Sequence, residues 1–344
     1  MRIKLWNPRW SKAFMTLLVV AGLLIGSAFV YAAYLYNKLN RTLDHIAAPD
    51  TTLEQRTANT TNNIVQLQHT SDKIAEPITF LLTAIDEREG STGSLNTDVM
   101  MLFSVNPETH QATVLSIPRD LEVRAEESGL EASHKANYFY AYYYNQNKET
   151  AISHTKQLFS RLYDVPIDFM AVINFDGFRK MVDQLGGMTV DVDMDMRYED
   201  ESDGTNIHLD KGIQHLDGKQ VLDFIRYRKS NLGTAESSDI VRNQREQLVL
   251  NQLLEKLTSL NGVTAWGKML DIIGGSVKTD VPADELRRFT GSYKELKPSN
   301  INFIHLDGEW ESPYVVIKQQ DLDQALTALK EQSPISIDSM GRTD

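Results

Sequence analysis

Three apolar runs between residues 78 and 117 dominate the hydrophobic pattern of the chain, and each has the length of a β-strand. They cover residues 78–85, 99–105 and 112–117 and are almost continuously apolar, as in strands that are covered on both faces. Asn106 and Pro107 favour a turn between the second and third runs. The pattern therefore predicts a β-hairpin with its loop near residues 106–111.

Downstream of this hairpin, segments with helical periodicity alternate with short apolar runs. The longest predicted helix, at 238–260, should be capped by Ser238 or Asp239, and residues 209–218 are predicted to be a turn-rich connector. This alternation predicts an α/β fold with a central mixed β-sheet flanked by helices, an α/β/α sandwich. The other predicted helices are 133–146, 150–163, 176–185, 219–225, 283–293 and 319–332, and the other predicted strands are 168–174, 188–194 and 300–305.

The first 76 residues differ in composition from the rest of the chain. Residues 1–12 are basic and residues 13–37 carry no charge, which predicts a cytoplasmic tail and a transmembrane helix, since a helix needs about 20 apolar residues to cross a bilayer. The alternative is a signal peptide cleaved near residues 30–32, but the apolar run continues to Tyr36 and favours an uncleaved anchor. The remaining predicted units are an extracytoplasmic stalk at 38–76, a globular domain at 77–333 and a flexible tail at 334–344.

The composition excludes several kinds of chemistry. The chain has no cysteine, so disulfides, thiol catalysis and thiolate zinc sites are excluded. Its formal net charge of −12 argues against a nucleic-acid-binding protein, because affinity for a duplex comes mostly from a basic surface. The sequence contains neither the G-x-S-x-G motif of serine hydrolases nor a Walker phosphate loop.

Charged residues lie where the three apolar runs begin or end. Asp86 follows the first run, Asp98 precedes the second, and Arg119 and Asp120 follow the third. In an antiparallel hairpin the start of one strand lies beside the end of the next, so Asp98 should lie near Arg119 and Asp120. Asp86 joins them if the first run is parallel to the first hairpin arm or leads into its base. Such a group suits a metal ion and a phosphate; the alternative is that these residues only cap turns or pair with each other.

A second charged group lies in the C-terminal half. Arg242 and Arg245 share a face of the longest helix in its first turns, where the helix dipole disfavours cations, so a neighbouring acid or a bound anion should neutralise them. Arginine suits phosphate because its guanidinium donates two parallel hydrogen bonds, and magnesium is the natural divalent ion for a polyphosphate. A solvated charged face is the alternative. The group consists of five cations in an acidic chain, Arg226, Arg228, Lys229, Arg242 and Arg245.

Several motifs follow one another behind the apolar N-terminal segment. They are D-x-R at 86–88, T-D-x-M-M-L at 97–102, S-V-N-P at 104–107, S-I-P-R-D at 116–120, K-x-N at 135–137, N-F-x-G-F to L-G-G at 174–187, G-x-x-x-L-D-G at 212–218, R-x-R at 226–228 and D-x-x-R-x-x-R at 239–245. Over residues 77–333 this ordered set resembles the LytR–CpsA–Psr family of bacterial cell-envelope proteins.

The resemblance implies an extracytoplasmic α/β enzyme, a phosphotransferase that moves a glycopolymer such as teichoic acid or capsule from a polyprenyl pyrophosphate carrier to peptidoglycan. It implies Mg²⁺, or alternatively Mn²⁺, as cofactor, and a single-pass protein in the cell membrane of a Gram-positive bacterium. By position, Asp86 and Asp98 would be metal ligands, and Asp98, Arg119 and Asp120 would be catalytic. The implied pyrophosphate-binding residues are Arg88, Lys135, Arg226, Arg228, Arg242, Arg245 and Gln247.

The chain departs from the family pattern in three places. Asn96 stands where an arginine is common, Val99 replaces the usual threonine, and Glu246 changes R-Q-Q to R-E-Q. These departures bear on Arg88 and Gln247 more than on the central aspartates and arginines.

Two functions of other classes also fit these residues. One is a non-catalytic polyprenyl-phosphate-binding or regulatory envelope protein, and the other is a pyrophosphatase that releases phosphate to water. A lipid carrier would also need an apolar slot. The candidate segments for this slot are 168–174, 188–194, 248–257 and 269–273, and the alternative is that they belong to the hydrophobic core.

Overall fold

The predicted hairpin lies at the centre of a six-stranded mixed sheet in the computed structural model of the chain. The structure describes residues 31, 33–48, 76–86, 95–125, 130, 132–201, 204–258, 260–306 and 308–331. Its strands are β1 (Ile78–Ile85), β2 (Thr97–Asn106), β3 (Gln111–Ser116), β4 (Glu122–Val123), β5 (His134–Lys135), β6 (Phe169–Asn174), β7 (Met188–Val192), β8 (Met196–Asp200), β9 (Thr205–Leu209), β10 (Gly212–Leu216), β11 (Val277–Thr279), β12 (Asn300–His305), β13 (Glu309–Glu311) and β14 (Tyr314–Val316).

The strand order of the central sheet is β11-β6-β1-β2-β3-β12. β1 and β2 are antiparallel, as are β2 and β3, whereas β6 runs parallel to β1 and β12 runs parallel to β3. Ile85 lies opposite Thr97, and Met101 lies opposite Ser116. The predicted hairpin is therefore confirmed, and the parallel alternative for the first run is wrong. Because β1 leads into the base of β2, the ends of β1 and β3 and the start of β2 meet at one end of the sheet.

Helices cover both faces of this sheet, which confirms the α/β fold with a central mixed sheet flanked by helices. In chain order they are α1 (33–46), α2 (Tyr138–Gln146), α3 (Ala151–Tyr163), α4 (Phe175–Gln184), α5 (Gly218–Arg226), α6 (Asp239–Thr258), α7 (Leu260–Ser276), α8 (Ala283–Gly291), α9 (Tyr293–Leu296) and α10 (Gln319–Glu331).

Neighbouring residues of β1 show how both faces become buried. Leu81 packs in a cluster with Phe159 of α3 and Leu329 of α10. Phe80 points to the opposite face, where its ring contacts Phe289 of α8 with the centroids 6.0 Å apart. Because helices lie on both sides, the strand needs apolar residues at successive positions, which explains the continuous apolar run.

Several predicted elements differ from the observed ones. The predicted helix at 133–146 begins only at Tyr138, because His134 and Lys135 pair with β4. The predicted connector at 209–218 contains the last residue of β9 and all of β10, which pairs with β7. The longest helix starts as predicted, and Ser238 caps it by accepting a hydrogen bond from the N–H of Val241 (3.2 Å). The elements β4, β8, β9, β11, β13, β14 and α7 have no counterpart among the predicted elements.

The candidate lipid-slot segments lie mostly in the core. Met188, Val190 and Val192 of β7 are fully or almost fully buried in a cluster with Phe224 and Val249. In this segment the plain-core alternative holds.

The predictions for the two ends of the chain fall mostly outside the described residues. These are the cytoplasmic tail at 1–12, most of the membrane segment at 13–37, most of the stalk at 38–76 and the tail at 334–344. Within the described part of the chain, no helix combines the length and apolar character needed to cross a bilayer. The described helix α1 covers the last five residues of the predicted membrane segment and the first nine of the predicted stalk. It contacts the domain, since Leu43 and Ile46 are buried and Lys38 forms an ion pair with Asp271 of α7 (2.7 Å).

Candidate active-site cleft

The adjacent ends of β2 and β3 bring Asp98 and Arg119 together. Asp98 is the second residue of β2, and Arg119 follows Ile117, whose N–H donates to the carbonyl of Met100 (2.9 Å). This bond continues the hairpin pairing past the end of β3 and sets Arg119 beside Asp98. Arg119 Nη1 donates a hydrogen bond to Asp98 Oδ1 at 2.6 Å. The predicted proximity of the two residues is confirmed.

The K-x-N segment holds both sides of this pair through its backbone. The N–H of Asn137 donates to the carbonyl of Arg119 (3.0 Å), and the carbonyl of Asn137 accepts a hydrogen bond from the N–H of Thr97 (3.3 Å). Lys135 lies opposite Glu122 in the β4–β5 pair. One short segment thus fixes the chain next to Asp98 and next to Arg119, because buried backbone groups need these partners.

Asp120 is the anionic centre of three cations. Lys135 Nζ donates to its Oδ1 at 2.9 Å, and guanidinium nitrogens of Arg119 and Arg228 each lie 3.6 Å from its Oδ2. Burial disfavours the ionised carboxyl, but the hydrogen bond from Lys135 and the charges of Arg119 and Arg228 outweigh it, so the pKa of Asp120 is lowered. Asp120 is therefore a fixed negative charge that positions the cations around it.

Arg226 and Arg228 enter the cleft from the end of α5. This helix begins with a capping box formed by Asp217 and Gln220. It ends at Arg226, where the helix dipole favours a cation. Tyr227 is extended and buried, so the arginines on either side of it both line the cleft. Arg226 and Arg228 thus lie on one side of this segment.

Arg226 joins the two aspartates that are candidate metal ligands. Its Nη2 lies 3.7 Å from Asp86 Oδ2 and 3.6 Å from Asp98 Oδ2. A single atom within ion-pair distance of both carboxylates shows that they are close enough to share one cation. Within the described residues, no group of three or more Asp, Glu, His or Cys side chains could hold a metal by itself. The pair fits Mg²⁺ as a partial ligand set, since this ion commonly takes one or two carboxylates together with water and phosphate oxygens.

Most of these charged residues line a cleft made of two adjoining cavities, of about 450 Å³ and 250 Å³. Asp86 and Lys135 are not among the lining residues of either cavity. The larger cavity extends towards β8 and β9, and the smaller one extends towards β12 and the β13–β14 hairpin. The two share one charged wall, so a ligand in either cavity would meet the same groups. The shared lining residues are Asp98, Val99, Arg119, Arg228, Arg242 and Glu246.

The structure does not bring every predicted site residue into this cleft. Arg245 is only 3% exposed and forms two parallel hydrogen bonds with Asp193, both 2.7 Å long. Gln247 is half-buried and does not line either cavity. The placement of Arg245 and Gln247 thus gives no support for their predicted role in pyrophosphate binding. Arg88 lies outside the described residues.

Three acidic residues in the cleft, Asp200, Asp223 and Glu246, are not among the predicted site residues. Glu246 was noted only as a departure from the family pattern, yet it lies four residues after Arg242 on α6 and lines both cavities. Asp223 lies three residues before Arg226 on α5. Its burial raises its pKa, against the opposing hydrogen bond from Lys219 (2.6 Å). A helical spacing of three or four residues from a predicted arginine is the signal that could have identified Glu246 and Asp223.

Fold and cleft together define an α/β protein with a charged cleft at one end of its central sheet. The chain belongs to the LytR_cpsA_psr family, whose model matches residues 36–331. This confirms the resemblance.

Individual relatives show the same relationship. The chain is 28% identical over 286 residues to polyisoprenyl-teichoic acid–peptidoglycan teichoic acid transferase TagU of Bacillus licheniformis. The matched region covers 83% of this chain and 83% of that protein. The crystal structure of B. subtilis TagU matches with a TM-score of 0.51 and 25% identity, covering 76% of this chain and 99% of that one. The structure of TagT bound to LIIa-WTA matches in fold, with a TM-score of 0.55 and 24% identity over 76% of this chain and 94% of that one.

Proposed function

We propose that the chain is a phosphotransferase that moves a glycopolymer from a polyprenyl pyrophosphate carrier to peptidoglycan. The observation that supports this best is the hydrogen-bonded Asp98–Arg119 pair. It lines the same cavity as three further arginines, Arg226, Arg228 and Arg242. The relatives named as teichoic acid transferases favour teichoic acid as the class of glycopolymer.

The proposed reaction forms one P–O bond and breaks another. A hydroxyl oxygen of peptidoglycan attacks the phosphorus that carries the glycopolymer, and the bridging bond of the pyrophosphate breaks to release polyprenyl phosphate. Phosphoryl transfer depends mainly on positioning and charge neutralisation, which several guanidinium groups supply. Asp98, oriented by Arg119, is the proposed acceptor of the hydroxyl proton or of its hydrogen bond.

A divalent ion is part of this proposal. Asp86 and Asp98 would hold Mg²⁺, with Mn²⁺ as an alternative, and the ion would neutralise charge on the phosphate oxygens when bound. Asp120 would act indirectly, by positioning Lys135, Arg119 and Arg228 through the ion pairs described above.

The proposed location is the outer face of a bacterial cell membrane, where peptidoglycan lies. The uncharged segment at 13–37 and the basic residues before it support a single-pass anchor with a cytoplasmic N-terminus. A Gram-positive envelope is proposed because teichoic acid is the expected polymer.

Replacing either member of the central ion pair tests the proposed function. In an assay with purified lipid-linked glycopolymer and peptidoglycan, Asp98→Ala and Arg119→Ala should each lower the rate of transfer by at least about 100-fold, as loss of a group that stabilises developing charge commonly does. Arg124→Ala is the matched control, because this arginine is close in sequence but its side chain is 75% exposed. Circular dichroism should show the same fold in all variants.

The same assay separates the competing functions. Wild-type transfer rates in Asp98→Ala and Arg119→Ala would contradict the assigned roles. Phosphate release without a peptidoglycan acceptor would instead indicate a pyrophosphatase. Co-purified polyprenyl phosphate without any turnover, whether or not magnesium is present, would indicate a non-catalytic lipid-binding protein.

A further inference from the structure

The smaller cavity of the cleft opens towards a side of the molecule that the proposed pyrophosphate contacts do not use. It shares the charged wall with the larger cavity but continues along His305, Gly308 and Val315. A transferase must hold two substrates at one reaction centre. Two cavities that meet at Asp98 and Arg119 provide two such approaches, so each cavity can serve one substrate.

An exposed tryptophan lies on the hairpin that borders the smaller cavity. Trp310 lies opposite Val315 in the β13–β14 hairpin, and directly opposed residues of an antiparallel pair point to the same face. Val315 lines the cavity, so Trp310 is on the cavity side of the hairpin. Its ring centroid is 5.6 Å from Lys135 Nζ, the same atom that bonds Asp120, yet Trp310 is 60% exposed. The indole is therefore open to solvent and lies next to Lys135, on the hairpin that borders the smaller cavity.

The hairpin that carries Trp310 is firmly attached to the site. The N–H of Val315 donates to the carbonyl of Asp120 (2.8 Å). The hydroxyl of Tyr314 donates to the carbonyl of Ser133 (2.7 Å), one residue before β5. These bonds hold the hairpin, and with it the indole, in a fixed position relative to Lys135. A preorganised surface of this kind loses less conformational entropy when it binds a ligand.

The chemistry around Trp310 favours a sugar over a phosphate or a lipid. An aromatic face has a negative quadrupole, and the C–H groups on one side of a pyranose ring pack against such a face. Glu309 and Glu311 flank Trp310 and are exposed. Successive strand residues point to opposite faces, so the two carboxylates lie on the side of the hairpin away from the indole and do not line it. Their negative charge, reduced at Glu309 by Lys318 Nζ 3.7 Å away, still disfavours phosphate and anionic membrane at this hairpin. A lipid chain would need an enclosed apolar slot rather than an open, acidic hairpin.

We propose that the β13–β14 hairpin, with Trp310 as its stacking residue, binds the glycan strand of the acceptor peptidoglycan and leads its hydroxyl into the smaller cavity. This inference rests on the proposed transferase function and assigns the two substrates to separate sides of the cleft.

The test combines Trp310→Ala with two comparison variants. Trp310→Phe keeps an aromatic face, and Ile213→Ala removes another exposed apolar side chain (78% exposed) on β10. Each full-length protein is co-sedimented with peptidoglycan sacculi stripped of teichoic acid, and transfer is measured over a range of soluble glycan-strand acceptor concentrations. Binding of the lipid-linked donor is measured separately. Trp310→Ala should weaken sedimentation and raise the KM for the acceptor by about tenfold, with unchanged donor binding, whereas Trp310→Phe and Ile213→Ala should behave like wild type.

The possible outcomes are distinct. An unchanged acceptor KM in Trp310→Ala would overturn the proposal, and so would an equal loss of donor affinity, because the hairpin would then serve the donor. If the wild-type protein fails to transfer glycopolymer but its sedimentation with sacculi still depends on Trp310, the transferase function fails and the glycan-binding surface stands.

Discussion

Two arginines three residues apart on α6 have different environments, although their spacing placed them on one helix face. Arg242 lines both cavities of the cleft. Arg245 instead stacks on Phe224 with its guanidinium carbon 5.3 Å from the ring centroid, and it forms a bidentate ion pair with Asp193. A buried, fully hydrogen-bonded charge that contacts aromatic core residues has a structural role, since removing its partner leaves the charge without compensation.

Replacement of Asp193 should destabilise the fold. Asp193→Ala leaves Arg245 buried and uncompensated, so we expect a loss of about 3 kcal/mol in the free energy of unfolding, near the low end for buried pairs because Asp193 is itself partly exposed. Chemical denaturation measures this loss. Asp210→Ala is the control. The side chain of Asp210 is 70% exposed, so its ion pair with Arg197 should contribute only about 0–1 kcal/mol to the free energy of unfolding. Equal losses in the two variants would contradict the structural role of Arg245.

The stability that the charge of Asp120 contributes at neutral pH should be lost only at acid pH. Its folded-state pKa is lowered below the ordinary value of 3.8, so its contribution is fully present above about pH 4 and is lost as the pH falls through the folded pKa. In thermal melts between pH 7 and pH 3, Asp120→Asn should therefore be less stable than wild type at neutral pH, and its stability should decline less steeply below pH 4. Parallel curves for the two proteins across this range would show that the three cations do not depend on the Asp120 charge.

The sequence could predict the central ion pair but not the burial of Arg245. Asp98 and Arg119 are brought together by a hairpin whose pattern is local, so strand pairing alone placed them. Asp193 lies 52 residues before Arg245 and precedes β8, so their contact depends on how α6 packs against distant strands. Helical spacing gives the face of a residue, but it does not show which face meets the cleft and which meets the core.

At the scale of elements, α1 packs against the domain as an additional helix and is not a free linker. Leu43 and Ile46 are buried, and the N–H of Ala48 donates to the carbonyl of Val281 (3.2 Å) just before α8. Arg287 of α8 also pairs with Asp44. The helix therefore connects the segment that precedes the domain to α7 and α8 by apolar and polar contacts.

Truncation of the apolar side of α1 should reduce stability. Leu43→Ala and Ile46→Ala each remove a side chain that is 6–7% exposed, and each should lower the free energy of unfolding by about 2–4 kcal/mol through lost burial and the cavity that remains. Tyr36→Ala is the control on the same helix, because Tyr36 is 67% exposed and should change stability little. If neither buried variant is less stable than the Tyr36 variant, the docking of α1 on the domain is not maintained in solution.

Long periodic elements were predictable, whereas short pairings were not. The strands β1, β2, β3 and β12 and the helices α3, α4 and α6 follow from local periodicity. The two residues of β5 form a strand only because Glu122 and Val123 lie beside them, so a helical pattern was extended over them. In the same way, β10 alternates partly buried and exposed positions over only five residues, and the glycine and aspartate in and beside it favour a turn. These short strands are stabilised by tertiary contacts that override local preference.

At the scale of the whole molecule, the cleft is almost electrically balanced despite its arginines. The net charge of the chain is −12, so the protein as a whole repels an anionic donor. The cations of the cleft do not reverse this by themselves, because acidic side chains line the same two cavities in equal number. The five cations are Arg119, Arg226, Arg228, Lys229 and Arg242, and the five acids are Asp98, Asp120, Asp200, Asp223 and Glu246.

Because of this balance, the proposed divalent cation would be the deciding charge for binding of the proposed donor. A pyrophosphate that enters a neutral cleft gains little net attraction, whereas Mg²⁺ held by Asp86 and Asp98 would change the sign of the local potential. We therefore expect the affinity for a soluble, short-chain polyprenyl pyrophosphate donor, measured by calorimetry, to fall by at least about tenfold when Mg²⁺ is replaced by EDTA, which corresponds to roughly 1.4 kcal/mol. Asp86→Asn should bind the donor weakly both in Mg²⁺ and in EDTA, because it has lost a ligand for the ion. The control Lys278→Gln, at an exposed position of β11, should show the same dependence of donor affinity on Mg²⁺ as the wild type. Equal donor affinity of the wild-type protein in Mg²⁺ and in EDTA would show that the arginines alone neutralise the pyrophosphate, and the two aspartates would then have to act on the acceptor instead.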